Sequence, residues 1–161
     1  MKVLLSIFFI TFFATSPPEL AKLRIDYVNA NGNKMLIEVL IDELSEVTKN
    51  DKKVFVAYKG AVLTMQSKYV KGKERKELFK QGISLIEYAV TSDPNNIEIR
   101  VIRLSIQENV PKLLKYNANI SDDKEFILSN YRIISSKGVK DFVRRYVMQS
   151  ESFSSSEKEL F

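Results

Sequence analysis

The chain has 161 residues, 45% of them apolar, and contains no Cys, His or Trp. That length suits one domain, and 25 Lys and Arg against 20 Asp and Glu give a mildly basic +5. The absences exclude disulfides, a thiolate nucleophile, lipid attachment through Cys, an imidazole base and a Ser-His-Asp triad.

Met1-Lys2 forms a short positive start, and Val3 to Ala14 is an apolar run of twelve, VLLSIFFITFFA. The run fits a secretory leader and falls short of the roughly 20 residues that span a bilayer. Residues 1–16 are therefore expected to be a signal peptide. The protein is expected to be exported to the periplasm or cell envelope, without being a lipoprotein. Residues 17–150 are expected to form one helical domain, followed by a disordered Ser-rich tail, 151–161.

Ser16 before Pro17-Pro18-Glu19 has the pattern of a helix start, with Leu20, Leu23 and Tyr27 on one face. Asn31-Gly32-Asn33 stops that helix. A second is expected over about 34–48 with Leu36, Val39, Leu40 and Leu44 inward, and Lys49-Asn50-Asp51 breaks it. A third, about 53–70, carries Val54, Tyr58, Ala61, Val62, Met65 and Tyr69 at steps of three and four. A loop over Val70 to Lys76 leads to a fourth helix, about 74–91, with Leu78, Gly82, Leu85, Ile86 and Ala89. Gly60 and Gly82 each sit beside an apolar stripe, a placement that favours close approach of two backbones.

Asp93-Pro94 is read as the cap and first turn of the next segment. In IEIRVIRLSIQENV, Ile97, Ile99 and Val101 alternate as in a strand, but Ile97, Val101 and Leu104 follow helical steps. With no partner strand evident and Pro111 as a stop, a helix apolar nearly all round is expected in the middle of the bundle. A short irregular piece to Asn119 precedes a helix over about 122–134, capped by Ser121, with Phe126, Ile127 and Tyr131 inward. The last helix, about 139–149, uses Phe142, Val143, Tyr146 and Val147. The fold class is all-α, a compact bundle of six or seven helices.

Within the run from Phe79 to Asn96, Gly82, Ile86, Ala89 and Pro94 stand at the offsets of the second helix of a tetratricopeptide repeat, which this stretch resembles. The preceding helix, with Tyr58, Gly60 and Ala61, is similar to the first helix of that repeat. One unit is recognisable, about 54–96, with an intervening loop longer than the repeat's own. A wider resemblance rests on Tyr58-Lys59-Gly60-Ala61, Met65, Lys68-Tyr69, Asp93-Pro94-Asn95, Glu98-Ile99-Arg100, Arg103, Gln107-Glu108-Asn109, Pro111, Leu114, Tyr116 and Asp123-Lys124. Over about 54–130 the chain resembles small exported helical proteins of Bacteroidetes-type bacteria. That resemblance implies export and a compact helical domain, and it supplies no activity.

Two groups of residues are candidates for binding. Arg100, Arg103 and Gln107, joined by Glu98 and Glu108 on flanking positions, form a polar stripe on the central helix, and the two guanidiniums could grip a carboxylate, a phosphate or a peptide C-terminus. The competing reading pairs them internally with Glu87, Asp93 or Asp123. Tyr58, Lys59, Lys68, Tyr69 and Tyr116 could line the same groove. The second group is basic: from Lys49 to Lys80 there are ten Lys and Arg and three acids, a net +7. Lys71, Lys73, Arg75 and Lys76 are its densest part, suited to an anionic surface or simply to a solvated helix start. Nucleic acid is not expected as a partner, because export removes the chain from it and no reader motif is present. No metal-ligand spacing and no cofactor motif stands out, and pairs such as Asp122/Asp123 are read as ordinary solvated acids. The leading expectation is a non-enzymatic exported module that binds a protein or peptide in the cell envelope. The alternative is a small anionic-ligand binder or enzyme using the Arg100/Arg103 stripe.

Overall fold

The computed structural model describes residues 19–161, so the expected leader, 1–16, and the helix start at Ser16 to Pro18 lie outside the described residues. Among the described residues there are eight α-helices and no strand. They are α1 (Leu20–Asn29), α2 (Lys34–Glu43), α3 (Lys53–Gln66), α4 (Gly72–Ser92), α5 (Ile97–Asn109), α6 (Ile120–Asn130), α7 (Lys137–Gln149) and α8 (Ser155–Lys158). The all-α bundle expected from the periodicity is what forms. Short 3₁₀ turns follow α3 and α6, and another lies between α5 and α6.

Successive helices run up and down. Lys22 at the start of α1 meets Glu43 at the end of α2, and Lys53 at the start of α3 lies over the Tyr88 ring near the end of α4. The odd-numbered helices are parallel to one another. Arg24, Tyr58 and Gly138, early in α1, α3 and α7, gather around Glu98 at the start of α5, and the ends of all four helices meet at the opposite side. Glu98 at the start of α5 binds Arg24 of α1 and Tyr58 of α3, while Ser105, two turns later, binds Tyr27. The apolar core is one cluster, centred on α3 and α5 and including Tyr58, Ile86, Ile99, Ile102, Leu104, Ile127 and Val143. Tyr27, Tyr58 and Phe142 pack edge-on at its middle, with Tyr27 and Tyr58 at 5.1 Å.

The two glycines act as expected from their phase. A Cβ at Gly60 would stand 2.6 Å from the Gly82 carbonyl, and one at Gly82 would stand 2.5 Å from the Gly60 carbonyl. Only hydrogen at both Cα atoms lets α3 and α4 cross this closely.

Several local expectations change. Asn33, accepting from the Leu36 N–H, starts α2. Its buried face is Ile37 and Leu40, joined by Leu44 just beyond its end, whereas Val39 points to solvent. Residues 71–76, expected as loop, are the cap and first turns of α4, entered through Gly72 at φ +61°. Asn96 rather than Asp93 caps α5, its side chain accepting from the Glu98 and Ile99 N–H groups. Asn119 precedes α6 in place of Ser121, and Asp123 is buried in the first turn.

The tail also differs from the expected disorder. Ser154 and Glu157 form a capping box that starts α8, and Lys124 pairs with Glu157 at 2.8 Å. Phe153 is buried, and the ring of Phe161 lies 4.4 Å from that of Tyr131. The two Phe side chains supply the apolar anchor that a Ser-rich composition conceals.

Candidate functional site

α5 is buried along most of its length, yet it carries Glu98, Arg103, Gln107 and Glu108. A charge in such a position must be matched or hydrogen-bonded. Asp123, fully buried, collects Arg100 Nη1 at 3.0 Å, Arg103 Nε at 2.7 Å, Arg103 Nη2 at 2.6 Å and Gln107 Nε2 at 3.3 Å. Arg103 Nη1 also donates to Glu87 at 3.0 Å, and the Tyr116 hydroxyl donates to the other Glu87 oxygen at 2.6 Å. The Gln107 carbonyl accepts from the Asn119 N–H. The Arg100, Arg103 and Gln107 stripe is thereby a strut joining α4, α5 and α6. Its donors are engaged by this chain's own carboxylates and carbonyls.

A second strut lies one turn earlier. Arg24 reaches Glu98 with two parallel bonds of 2.8 Å, and the Tyr58 hydroxyl donates to Glu98 at 2.7 Å. Burial, reinforced by the Glu98 charge, raises the Tyr58 phenol well above its usual range. Among the described residues every buried side-chain nitrogen and oxygen has a partner.

The other expected site residues do not meet in one groove. Tyr58 is packed inside, and Lys59 folds along the surface to donate to the Ser45 and Val47 carbonyls, each at 2.7 Å. Lys68 and Tyr69 lie in the exposed turn after α3. Lys71, Lys73, Arg75 and Lys76 are all exposed, and Lys73 is paired with Glu77 at 3.6 Å. Lys49 and Lys53 sit over Tyr88, sixteen residues further along α4 than Gly72, or roughly 24 Å away at the helical rise. The run of positive charge in the sequence is therefore divided between the two ends of the α3–α4 hairpin.

The concave site is elsewhere. A cavity of about 570 Å³ opens where α1, α3, α5 and α7 end together. α1 contributes Tyr27 and Val28, with Asn31 just beyond it; α3 contributes Thr64 and Met65, with Lys68 beyond. α5 supplies Ser105, Ile106, Glu108 and Asn109, and α7 supplies Phe142, Tyr146 and Gln149. Ser150, Glu151 and Ser152 close one side. Of the binding residues expected from sequence, Lys68 alone lines this cavity.

Its polar groups form two sets. The Tyr27 hydroxyl and Ser105 Oγ are 2.7 Å apart, and full burial pushes the Tyr27 phenol up to about 12. Glu108 accepts from the hydroxyls of Tyr146 and Ser150, the latter at 2.5 Å, and from the Ser152 N–H at 3.1 Å. Burial, then the Glu108 charge, drives the Tyr146 phenol far up, so it remains protonated and donates. These groups suit recognition through hydrogen bonds and charge. Among the described residues no three Asp or Glu gather to hold a metal ion.

Sequence reasoning set Glu108 beside the Arg100 and Arg103 stripe rather than at this cavity, and missed Tyr27, Ser105, Tyr146 and Ser150 as site residues. The helix stops at Asn31-Gly32, Val110-Pro111 and Ser150 were readable signals, but their meeting at one end of the bundle was not. Comparison of the chain with family models, with curated proteins and with solved structures gives no match.

Proposed function

We propose that this chain is a non-enzymatic, exported helical module that holds part of a protein or peptide partner in the cavity between α1, α3, α5 and α7. The cavity supports this reading best: about 570 Å³, with Val28, Met65, Ile106 and Phe142 as apolar wall and a few convergent polar groups. That combination is characteristic of ligand sites. The absence of His and Cys, and hydroxyls already committed to Glu108 or to each other, argue for binding over covalent chemistry. The close glycine crossing of α3 and α4 supports a tetratricopeptide-like hairpin as the scaffold for the wall. Export and a Bacteroidetes-type origin rest on the leader pattern and the sequence resemblance.

Peptides selected on the wild-type chain from a random displayed library test the reading. They are expected to lose binding to Met65→Trp, which narrows the cavity; unchanged binding to a folded variant overturns it. Residues 1–16 fused to a leaderless reporter are expected to export it, and retention in the cytoplasm overturns the localisation.

A second reading is favoured by Lys71, Lys73, Arg75 and Lys76, exposed together on the first turns of α4. They form a basic tip suited to anionic lipid headgroups. Binding to anionic liposomes is expected to weaken with salt and to vanish when all four are changed to Glu. Equal binding by that variant removes this contact.

A further inference from the structure

Glu108 differs from the other carboxylates that α5 and its neighbours hold inside the bundle. Glu98 is matched by Arg24, and Asp123 and Glu87 are matched by Arg103, at distances from 2.6 to 3.0 Å. Glu108 is in no ion pair among the described residues, although the exposed Lys68 lines the same cavity. Its donors are two hydroxyls and one backbone N–H, all neutral. An ionised carboxylate offers about four acceptor positions, so one remains open. A half-buried carboxylate without a paired counter-charge is costly, and this one borders the cavity.

Helix direction adds to the same field independently. α1, α3, α5 and α7 all present their last turns to the cavity. A helix C-terminus carries a partial negative charge, and these four outnumber the one N-terminus at the cavity, that of α6 at Ile120. Tyr27, Phe142 and Tyr146 are in the lining, and an aromatic wall is compatible with a bound cation. The charged residues at the cavity are Glu108, Glu151 and, at the exposed rim, Lys68. In a chain of net +5 this is a locally acidic place.

We propose that the cavity receives a primary ammonium group, borne by a lysine side chain or by the free N-terminus of a peptide, with Glu108 as its counter-ion. The assignment rests on the cavity being the peptide site. An organic cation fits better than a metal ion, because the wall is largely apolar and, among the described residues, no three metal-ligating side chains gather.

Isothermal titration of the full chain with three capped tripeptides tests the proposal. Acetyl-Ala-Lys-Ala-amide carries only a side-chain ammonium, Ala-Ala-Ala-amide only a terminal one, and acetyl-Ala-norleucine-Ala-amide neither. At least one ammonium peptide is expected to bind about tenfold or more tightly than the norleucine peptide, and which one does so identifies the source. Glu108→Gln is expected to remove that preference and leave the norleucine peptide unaffected. Equal binding of all three peptides, no binding by either ammonium peptide, or an undiminished preference in Glu108→Gln overturns the ammonium assignment. The norleucine comparison changes only the ligand, so it holds even where Glu108→Gln disturbs the fold. Failure of the cavity reading itself is separate: library-selected peptides would then bind Met65→Trp as well as wild type.

Discussion

Asp123 shows how much one side chain can carry. It is the shared acceptor for Arg100, Arg103 and Gln107 and has no access to water. Asp123→Asn keeps the shape but leaves the Arg103 charge buried beside one remaining partner, Glu87. The loss is expected to be about 3 to 5 kcal/mol, because breaking a buried pair strands the other charge; urea unfolding measures it. Gly82→Ala is a second test at this scale. Helix propensity alone favours Ala by about 1 kcal/mol, but the new methyl would lie 2.3 Å from Thr64 Oγ1 and 2.5 Å from the Gly60 carbonyl. A net loss of about 1 to 3 kcal/mol is expected from the overpacking, seen as a lower melting temperature. The glycine phase was legible, since Gly60 and Gly82 each adjoin an apolar stripe. The role of Asp123 was legible only in part: it stood among three candidate partners for the Arg pair, yet beside Asp122 at a helix start it also looks solvated, and nothing local reveals which of two adjacent acids turns inward.

Among the elements, α8 is the one whose existence depends most on distant contacts. Four residues make a single turn, too short to persist by itself. It is held by Phe153 and Phe161 against the Tyr131 region and by Glu157 to Lys124. Phe153→Ala is expected to cost about 3 kcal/mol and to expose 151–161 to protease, which limited digestion reads directly. The acid response of this element has a definite sign. The hydrogen bond from Lys124, with help from the Ser154 N–H, lowers the Glu157 carboxyl to about 2, against 4.5 ordinarily. A depressed pKa contributes stability that is present above pH 4.5 and lost as pH falls through about 2. Amide exchange at 155–158 is therefore expected to accelerate in that acid window. The longer elements were legible because α3, α5 and α7 repeat apolar residues at steps of three and four. The end of α2, the start of α4 and the whole of α8 were not, because they are set by caps, by Gly72 and by tertiary anchors.

For the whole molecule, the absence of His removes the side chain that normally titrates between pH 5 and 8. The buried tyrosines supply the alkaline response instead. Burial raises Tyr27 from 10.0 to about 12, and burial with nearby carboxylates raises Tyr58, Tyr116 and Tyr146 as well. A raised phenol stabilises the fold fully below pH 10, where both states keep the proton. As pH climbs from 10 toward 12 the unfolded chain ionises first, so stability is lost, by about 3 kcal/mol for Tyr27 alone. The urea midpoint is expected to stay level through the neutral range and to fall steeply above pH 10, together with a rise in tyrosinate absorbance.

The sequence by itself determined that the chain is all-α, where its principal helices begin and end to within a few residues, and which two glycines mark a close crossing. Those properties follow from side-chain period, caps and backbone freedom, all of which act over a turn or two. It also fixed the choice of residues on α5 without disclosing their use. Only the tertiary structure decided between the two readings of the Arg100 and Arg103 stripe: the pair meets Asp123 and Glu87 and braces the bundle. The same packing separated one basic run into two distant ends of a hairpin. Up-and-down connection of successive helices brings the ends of α1, α3, α5 and α7 to one side, where Glu108 remains outside any ion pair among the described residues. Charge matching and cavity formation depend on groups brought together from positions 27 to 152, and no local pattern encodes that distance.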